Sequence, residues 1–342
     1  MKKIFILCAI LFVSISCSND AYKIRGNIKN LNGWIYLEFF DEVKQVDSVF
    51  VDNGHFVFEG YLEELVFAKI YNNDNLYLLL VPENKKISIK GSIENIYEIE
   101  IAGSPLTKKA NEVSEFLFDK FEKLFDVPRG EEREKLSDDW KKDVAKVITE
   151  NSDNIIGTLP FVGYAFYFSA DEIFEYTSLL SPKIQKHSTI QREKTRAERQ
   201  KLSSEGNKFI DIRLHNIEGV EKSLSDYAGK ENYVLLDFWA SWCGSCIEQV
   251  PQLKEIYKEY HSKGFEICGV SFDTDKQRWM KSIEKHEMNW IHISSLSGWD
   301  CPAGELYGIN VIPSTYLIAP NGIIIEKDIP LSNLAEFLDS VY

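Results

Sequence analysis

The sequence predicts a multidomain protein in which a β-rich, a helical and an α/β segment follow one another. Its 342 residues exceed the usual length of one domain, and 44% of them are apolar, which suits more than one packed core. Short apolar runs between turn residues precede residue 103, and apolar stripes of helical spacing follow it. We expect a signal segment 1–16, a β-rich sandwich-like domain 17–103, a helical connector 104–205 and an α/β domain 206–342.

The N-terminus has the composition of an export signal. Lysines follow the first residue, then comes the apolar run Ile4–Val13, and the small residues Ser14 and Ser16 precede Cys17. This run is too short for a stable membrane span. A cysteine directly after small residues resembles a bacterial lipoprotein cleavage site, which implies that Cys17 becomes the lipidated first residue. An ordinary signal peptide is the alternative.

The β-rich segment has turn signals between its apolar runs, such as Asn32-Gly33 and Asp52-Asn53-Gly54. We expect a small antiparallel sandwich. The predicted strands are Ile35–Phe40, Val46–Val51, His55–Phe58, Phe67–Tyr71, Leu76–Val81 and Lys86–Lys90.

Apolar residues at i, i+3 and i+4 predict four helices in the connector. They are Leu106–Phe125, Glu131–Asn151, Ile155–Phe168 and Ala170–Ser178. The charged run Gln191–Lys201 predicts a solvated helix or linker. The aromatic cluster between Phe161 and Phe168 is typical of a core, and a groove between domains is the alternative.

In the α/β segment, the apolar run Val234–Ala240 indicates a buried central strand. Asp237 interrupts it, and a carboxylate there is costly unless it has a partner or a task. After Cys246 the apolar spacing predicts a helix, which Pro251 should kink. The other predicted elements are the strands Phe265–Phe272, Ser314–Ile318 and Ile323–Ile325 and the helix Asp275–Met288.

Two residues separate Cys243 from Cys246, directly after the predicted central strand. At a helix N-terminus, free backbone N–H groups and the helix dipole favour the thiolate, which attacks disulfides. This pattern predicts a redox-active pair, with half of a zinc site or an inert disulfide as alternatives. A structural zinc needs a second Cys or His pair, and Cys268 and Cys301 are isolated, so we expect no metal and no organic cofactor.

These residues resemble the thioredoxin superfamily, and more closely the TlpA/ResA-like thiol-disulfide oxidoreductases, over roughly 208–342. The resemblance depends on Leu236–Cys246, Pro251 and Tyr307–Gly322. It implies a thioredoxin fold in which the Ile312-Pro313 bond is cis and lies against the dithiol, where the client chain binds together with Trp242. It also implies that Asp237 moves a proton at Cys246, although a hydrogen-bonded core carboxylate is the alternative.

The β-rich segment resembles a domain of unassigned role that precedes thioredoxin domains in some Gram-negative lipoproteins, on Asp47-Ser48 and Gly54-His55-Phe56. The dithiol region departs from its family at two positions. Ser245 replaces the usual proline, and Gln249 stands where many relatives have glutamate. Because both positions tune the chemistry, the direction of electron flow stays open.

The resemblance implies an envelope thiol-disulfide oxidoreductase, lipid-anchored and facing the periplasm, where disulfide chemistry is physiological. Cys243 would attack and Cys246 would resolve the mixed disulfide. Its partners would be disulfide- or thiol-bearing envelope proteins, with a disulfide-shuttling transmembrane protein as electron donor. A net charge of −14 without a basic stripe argues against nucleic acid.

Two other functions stay open. A thiol peroxidase of the peroxiredoxin kind carries a threonine three residues before its cysteine, where this chain has Ala240. A client-binding or assembly lipoprotein with a secondary dithiol is the second alternative. Cys301 is expected to be a buried thiol, with an auxiliary thiol that meets the dithiol as the alternative, and Cys268 is expected in the core.

Overall fold

The computed structural model describes residues 21–40, 46–128 and 130–342, so Cys17 and the predicted signal segment lie outside the described residues. The chain forms two compact units. The first comprises the described residues up to Val162 together with Leu179–Thr189, and the second comprises Gly163–Ser178 together with Ile190–Tyr342. Within the described ranges, no helix is both long enough and apolar enough to cross a membrane.

Eight strands of the first unit form two four-stranded sheets. They are β1 (Tyr22–Lys29), β2 (Gly33–Phe39), β3 (Val46–Val51), β4 (His55–Gly60), β5 (Ala68–Tyr71), β6 (Tyr77–Leu80), β7 (Lys86–Ser92) and β8 (Asn95–Ala102). The sheet orders are β4-β1-β7-β8 and β3-β2-β5-β6. Alternate residues of both sheets, including Ile24, Ile35, Ile70 and Ile89, are buried in one apolar core.

The sequence predicts an antiparallel sandwich, and this is wrong for one pair of strands. Strands β1 and β7 are parallel, with Ile24 opposite Ile87, because the chain passes through the second sheet before β7 returns in the direction of β1. The six predicted strands agree with β2 to β7. Strands β1 and β8 are not among the predicted strands, although they lie within the predicted β-rich segment.

Helices α1 (Pro105–Asp126) and α2 (Glu131–Glu150) follow the sheets, close to their predicted bounds. Ser104 caps α1, because its hydroxyl accepts a hydrogen bond from the backbone N–H of Thr107. The single helix predicted over Ile155–Phe168 is wrong. Two 3₁₀ turns (Ile155–Thr158 and Ala165–Tyr167) flank the short helix α3 (Leu159–Tyr164) there, where Gly157, Pro160 and Gly163 disfavour a continuous helix. In the aromatic cluster, Phe161, Tyr164 and Phe168 are buried, as predicted for a core, whereas Phe166 and Tyr167 are exposed.

The second unit contains a seven-stranded mixed sheet with the order β10-β9-β13-β12-β11-β14-β15. Its strands are β9 (Arg213–Asn216), β10 (Glu221–Ser223), β11 (Tyr233–Trp239), β12 (Phe265–Ser271), β13 (Ile291–Ser294), β14 (Ser314–Ile318) and β15 (Ile324–Lys327). Strand β11 is parallel to β12 and antiparallel to β14, and almost all of it is buried. The sequence therefore predicted this central strand correctly.

The described part of the chain contains six further α-helices. They are α4 (Ala170–Ser178), α5 (Ser188–Leu202), α6 (Gly244–Tyr260), α7 (Lys276–His286), α8 (Pro302–Tyr307) and α9 (Leu331–Val341). Pro251 lies inside α6, as predicted.

Helix α5 corrects the prediction of a solvated helix or linker over Gln191–Lys201. Ile190 and Ala197 are fully buried, and the buried Glu193 accepts a hydrogen bond from Arg196. Gln200 donates its amide to the carbonyl oxygen of Gly308 at 2.9 Å. The helix packs within the second unit through a narrow apolar stripe, which is difficult to recognise among the many charged residues of this segment.

Candidate active site

The two cysteines lie where β11 gives way to α6. Cys243 is the N-cap of the 17-residue helix, and its Sγ accepts a hydrogen bond from the backbone N–H of Cys246 at 3.2 Å. A disulfide joins Cys243 and Cys246, whose Cα atoms are 5.3 Å apart. Both side chains are nearly buried, with 6% and 5% exposure. The predicted pairing at a helix N-terminus is confirmed, and this position stabilises a thiolate on Cys243 once the bond is reduced.

Asp273 holds the turn before the dithiol. Its carboxylate accepts hydrogen bonds from the backbone N–H of Ser241 at 2.9 Å and from the Ser241 hydroxyl at 2.5 Å. The Ser271 hydroxyl donates to the same carboxylate at 2.7 Å. Asp273 is not evident as a site residue from the sequence, although the ends of neighbouring parallel strands meet at one sheet edge and its place just after β12 could have indicated this role.

Asp237 is buried in the middle of the sheet, with an exposure of 4%. It lies opposite Gly269 of β12 and Thr315 of β14. Burial raises the pKa of its carboxyl group from 3.8 to about 7. In the described part of the chain, no hydrogen bond reaches this carboxyl. A group with this pKa can accept or release a proton near neutral pH.

The Ile312-Pro313 peptide bond is cis, as the resemblance implied. Ser314, the next residue, lies opposite Phe238 near the end of β11. Because β14 is antiparallel to β11, Pro313 reaches the sheet edge from which the chain continues to Cys243. The register therefore brings the proline segment and the dithiol to the same edge.

The remaining cysteines and Trp242 occupy contrasting environments. Cys268 and Cys301 are free thiols and fully buried, and burial raises the pKa of Cys268 above its usual range. The prediction of a buried Cys301 is confirmed, and the disulfide pairs Cys243 with Cys246 instead. Trp242 is exposed beside Cys243. The described residues contain no cluster of three or more His, Cys, Asp or Glu side chains suited to a metal ion.

Two separate parts of the chain match known families. Residues 206–327 match the AhpC/TSA family, and residues 22–110 match a domain of unknown function, DUF4369. The chain is 32% identical over 148 residues to the thiol-disulfide oxidoreductase ResA of Oceanobacillus iheyensis, covering 41% of this chain and 74% of that protein. It is 30% identical over 139 residues to ResA of Geobacillus thermodenitrificans, covering 40% and 77%.

Solved structures of thiol-disulfide oxidoreductases also match part of the chain. A thiol-disulfide oxidoreductase from Bacteroides fragilis is 31% identical, with a TM-score of 0.38, and covers 40% of this chain and all of that one. The thioredoxin domain of a thiol-disulfide oxidoreductase from Bacteroides vulgatus is 30% identical, also with a TM-score of 0.38, and covers 40% and 97%.

A thioredoxin-type sheet whose central strand leads to a cysteine pair at a helix N-terminus defines a redox enzyme of the dithiol type. With the similarity to the two relatives, the class is thiol-disulfide oxidoreductase. The chain belongs to the ResA-like family of these enzymes.

Proposed function

We propose that this protein is a lipid-anchored thiol-disulfide oxidoreductase of the cell envelope that exchanges disulfides with protein clients through Cys243 and Cys246. The observation that carries the proposal is the position of Cys243, whose sulfur caps α6 and is bonded to Cys246. Because Cys243 is the N-cap of α6 and its Sγ accepts a hydrogen bond from the backbone N–H of Cys246, the helix N-terminus favours a thiolate at Cys243, which is assigned as the attacking cysteine, with Cys246 as the resolving one.

In the reducing direction, the Cys243 thiolate attacks one sulfur of a client disulfide. A mixed disulfide forms between Cys243 and the client, and the other client sulfur leaves as a thiolate that takes up a proton. Cys246 then loses its proton and attacks the Cys243 sulfur, which releases the second client thiol. Two electrons pass from the dithiol to the client, and the reverse sequence oxidises a client dithiol.

Asp237 is the proposed acceptor of the Cys246 proton. It lies on the strand that leads to the dithiol, and its raised pKa of about 7 suits proton transfer at neutral pH. Trp242, Ile312 and Pro313 are the proposed client-binding residues. The cis bond and the register of Ser314 with Phe238 support a client chain that lies along this sheet edge.

The envelope location is supported by the sequence of the first seventeen residues. Lipidation of Cys17 would hold the protein at a membrane on the periplasmic side, with a transmembrane disulfide shuttle as the electron donor. The variant Cys17→Ala is expected to move from the membrane fraction to the soluble fraction. A wild-type protein found wholly in the soluble fraction would contradict the anchor and leave the redox proposal intact.

Trapping of the mixed disulfide tests the redox function directly. Cys246→Ala is expected to accumulate covalent complexes with envelope proteins that carry disulfides, and these complexes should dissociate with dithiothreitol. Cys243→Ala is the matched control and should form none. Equal trapping by both variants, or by neither, would overturn the proposed roles.

A further inference from the structure

Five of the seven tryptophans of the chain lie in the second unit, and they divide into two groups. Trp239, Trp279 and Trp290 are buried, as expected for large rings of a core. Trp242 and Trp299 are exposed, by 54% and 45%. The exposed pair is therefore a feature that the core does not explain.

The exposed rings are neighbours, and they lie beside the reactive bond. Trp242 directly precedes Cys243, and its ring centroid is 6.2 Å from that of Trp299, with an angle of 53° between the ring planes. The Trp299 ring also packs against the ring of Phe272, with 5.0 Å between the ring centroids, and Phe272 is fully buried. Trp299 thus joins the protein core to the surface next to the dithiol.

The backbone holds Trp299 in place before any client arrives. Trp299 is the central residue of the 3₁₀ turn Gly298–Asp300, which Gly298 begins with φ of 62°. The backbone N–H of Cys301 donates to the Gly298 carbonyl oxygen and closes this turn. A ring fixed in this way loses little conformational entropy on binding, which is typical of residues that contribute strongly to an interface.

We propose that Trp299 is a specificity-determining residue, which with Trp242 forms an aromatic ledge for an apolar side chain next to the client cysteine. This inference rests on the proposed function. A mixed disulfide holds the client Cα atom within about 7 Å of the Cα atom of Cys243, so the neighbouring client residues must lie against the adjoining surface. On that surface, burial of an aliphatic or aromatic client side chain against two fixed rings is favourable.

The test compares the reduction of three disulfide substrates, with dithiothreitol as the electron donor and the uncatalysed rate subtracted. Two are disulfide-linked dimers of peptides that have equal length and charge and carry either Leu or Ser on both sides of the cysteine. The third is bis(2-hydroxyethyl) disulfide, which has no flanking chain. Trp299→Ala is expected to raise KM for the Leu peptide about tenfold and to change kcat less than twofold. The Ser peptide and the small disulfide should be turned over as by the wild type.

Two variants serve as controls. Trp299→Phe keeps an aromatic contact with Phe272 and is expected to recover most of the affinity for the Leu peptide. Trp34→Ala removes an equally exposed tryptophan, at 55%, from the first unit and should leave all three substrates unaffected.

An unchanged KM for the Leu peptide in Trp299→Ala would overturn the inference. An equal loss of kcat on all three substrates would also overturn it, because Trp299 would then only support the fold. A wild-type protein that turns over none of the three disulfides would instead overturn the proposed function, so the two failures are distinguishable.

Discussion

The carboxylate of Asp273 accepts two hydrogen bonds from Ser241, one from the backbone N–H and one from the hydroxyl group. Ser241 lies two residues before Cys243, whereas Asp273 follows β12, the strand beside β11. The turn that presents the attacking cysteine is therefore fastened to the neighbouring strand. The buried carboxylate of Asp273, which lies outside the Cys-Gly-Ser-Cys segment, therefore fixes the position of the backbone just before Cys243.

Replacement of Asp273 by Ala is expected to lower the free energy of unfolding of the second unit by about 2–3 kcal/mol. The change leaves the partly buried N–H of Ser241 and the buried hydroxyl of Ser271 without their acceptor. Urea unfolding followed by tryptophan fluorescence measures the effect. Asp300→Ala, at an exposed position, is the control, and equal stabilities of the two variants would contradict the prediction.

Asp237 is expected to make the stability of the disulfide form fall as the pH rises. Its pKa is raised from 3.8 to about 7 in the folded protein, so well below pH 4 the group is protonated in both states and costs nothing. Between pH 4 and 7 ionisation increasingly favours the unfolded chain, and above pH 7 the cost is about 4 kcal/mol. Asp237→Asn should remove this slope and be more stable than the wild type at pH 8. Parallel stability curves of the two proteins would contradict the prediction.

The resolving step should depend on pH through the same group. The rate at which Cys246 displaces the client from Cys243 is expected to rise through about pH 7, as Asp237 becomes able to accept a proton. In Asp237→Asn the step should slow about tenfold or more and lose this rise. Stopped-flow measurement of client release from a preformed mixed disulfide gives the rate, and an unchanged pH profile in the variant would remove Asp237 from the mechanism.

Gly304→Ala is expected to destabilise the second unit by about 1–3 kcal/mol. A Cβ atom at this position would lie 2.6 Å from Cζ of Phe272, the buried ring that supports Trp299. The displaced ring should also shift the fluorescence of Trp299. Gly163→Ala is the matched control, because nothing described lies within 4 Å of its added Cβ and the helix α3 tolerates alanine. Identical unfolding midpoints for both variants would contradict the expected crowding.

The dithiol was predictable because its local sequence carries the information. An apolar strand stops at Trp239, the helical spacing starts after Cys243, and both features appear in consecutive residues. Asp273 was not predictable in this way, since its contact with Ser241 depends on the pairing of β11 with β12. The parallel pairing of β1 with β7 likewise depends on where the chain returns. Helix α5 was misjudged because Glu193 and Arg196 bind each other and so enter the packed unit despite their charges.

At helix α5 the boundary of family similarity differs from the boundary of the folded unit. The AhpC/TSA similarity begins at residue 206, yet Gln200 and Ser203 already donate hydrogen bonds to the carbonyl oxygens of Gly308 and Tyr307. These carbonyls lie shortly before the cis bond at Pro313. A fragment cut at residue 206 would lose both donors and the cover over that segment. A redox domain transferred to another protein must therefore include α5, because the region of family similarity is shorter than the region that folds together.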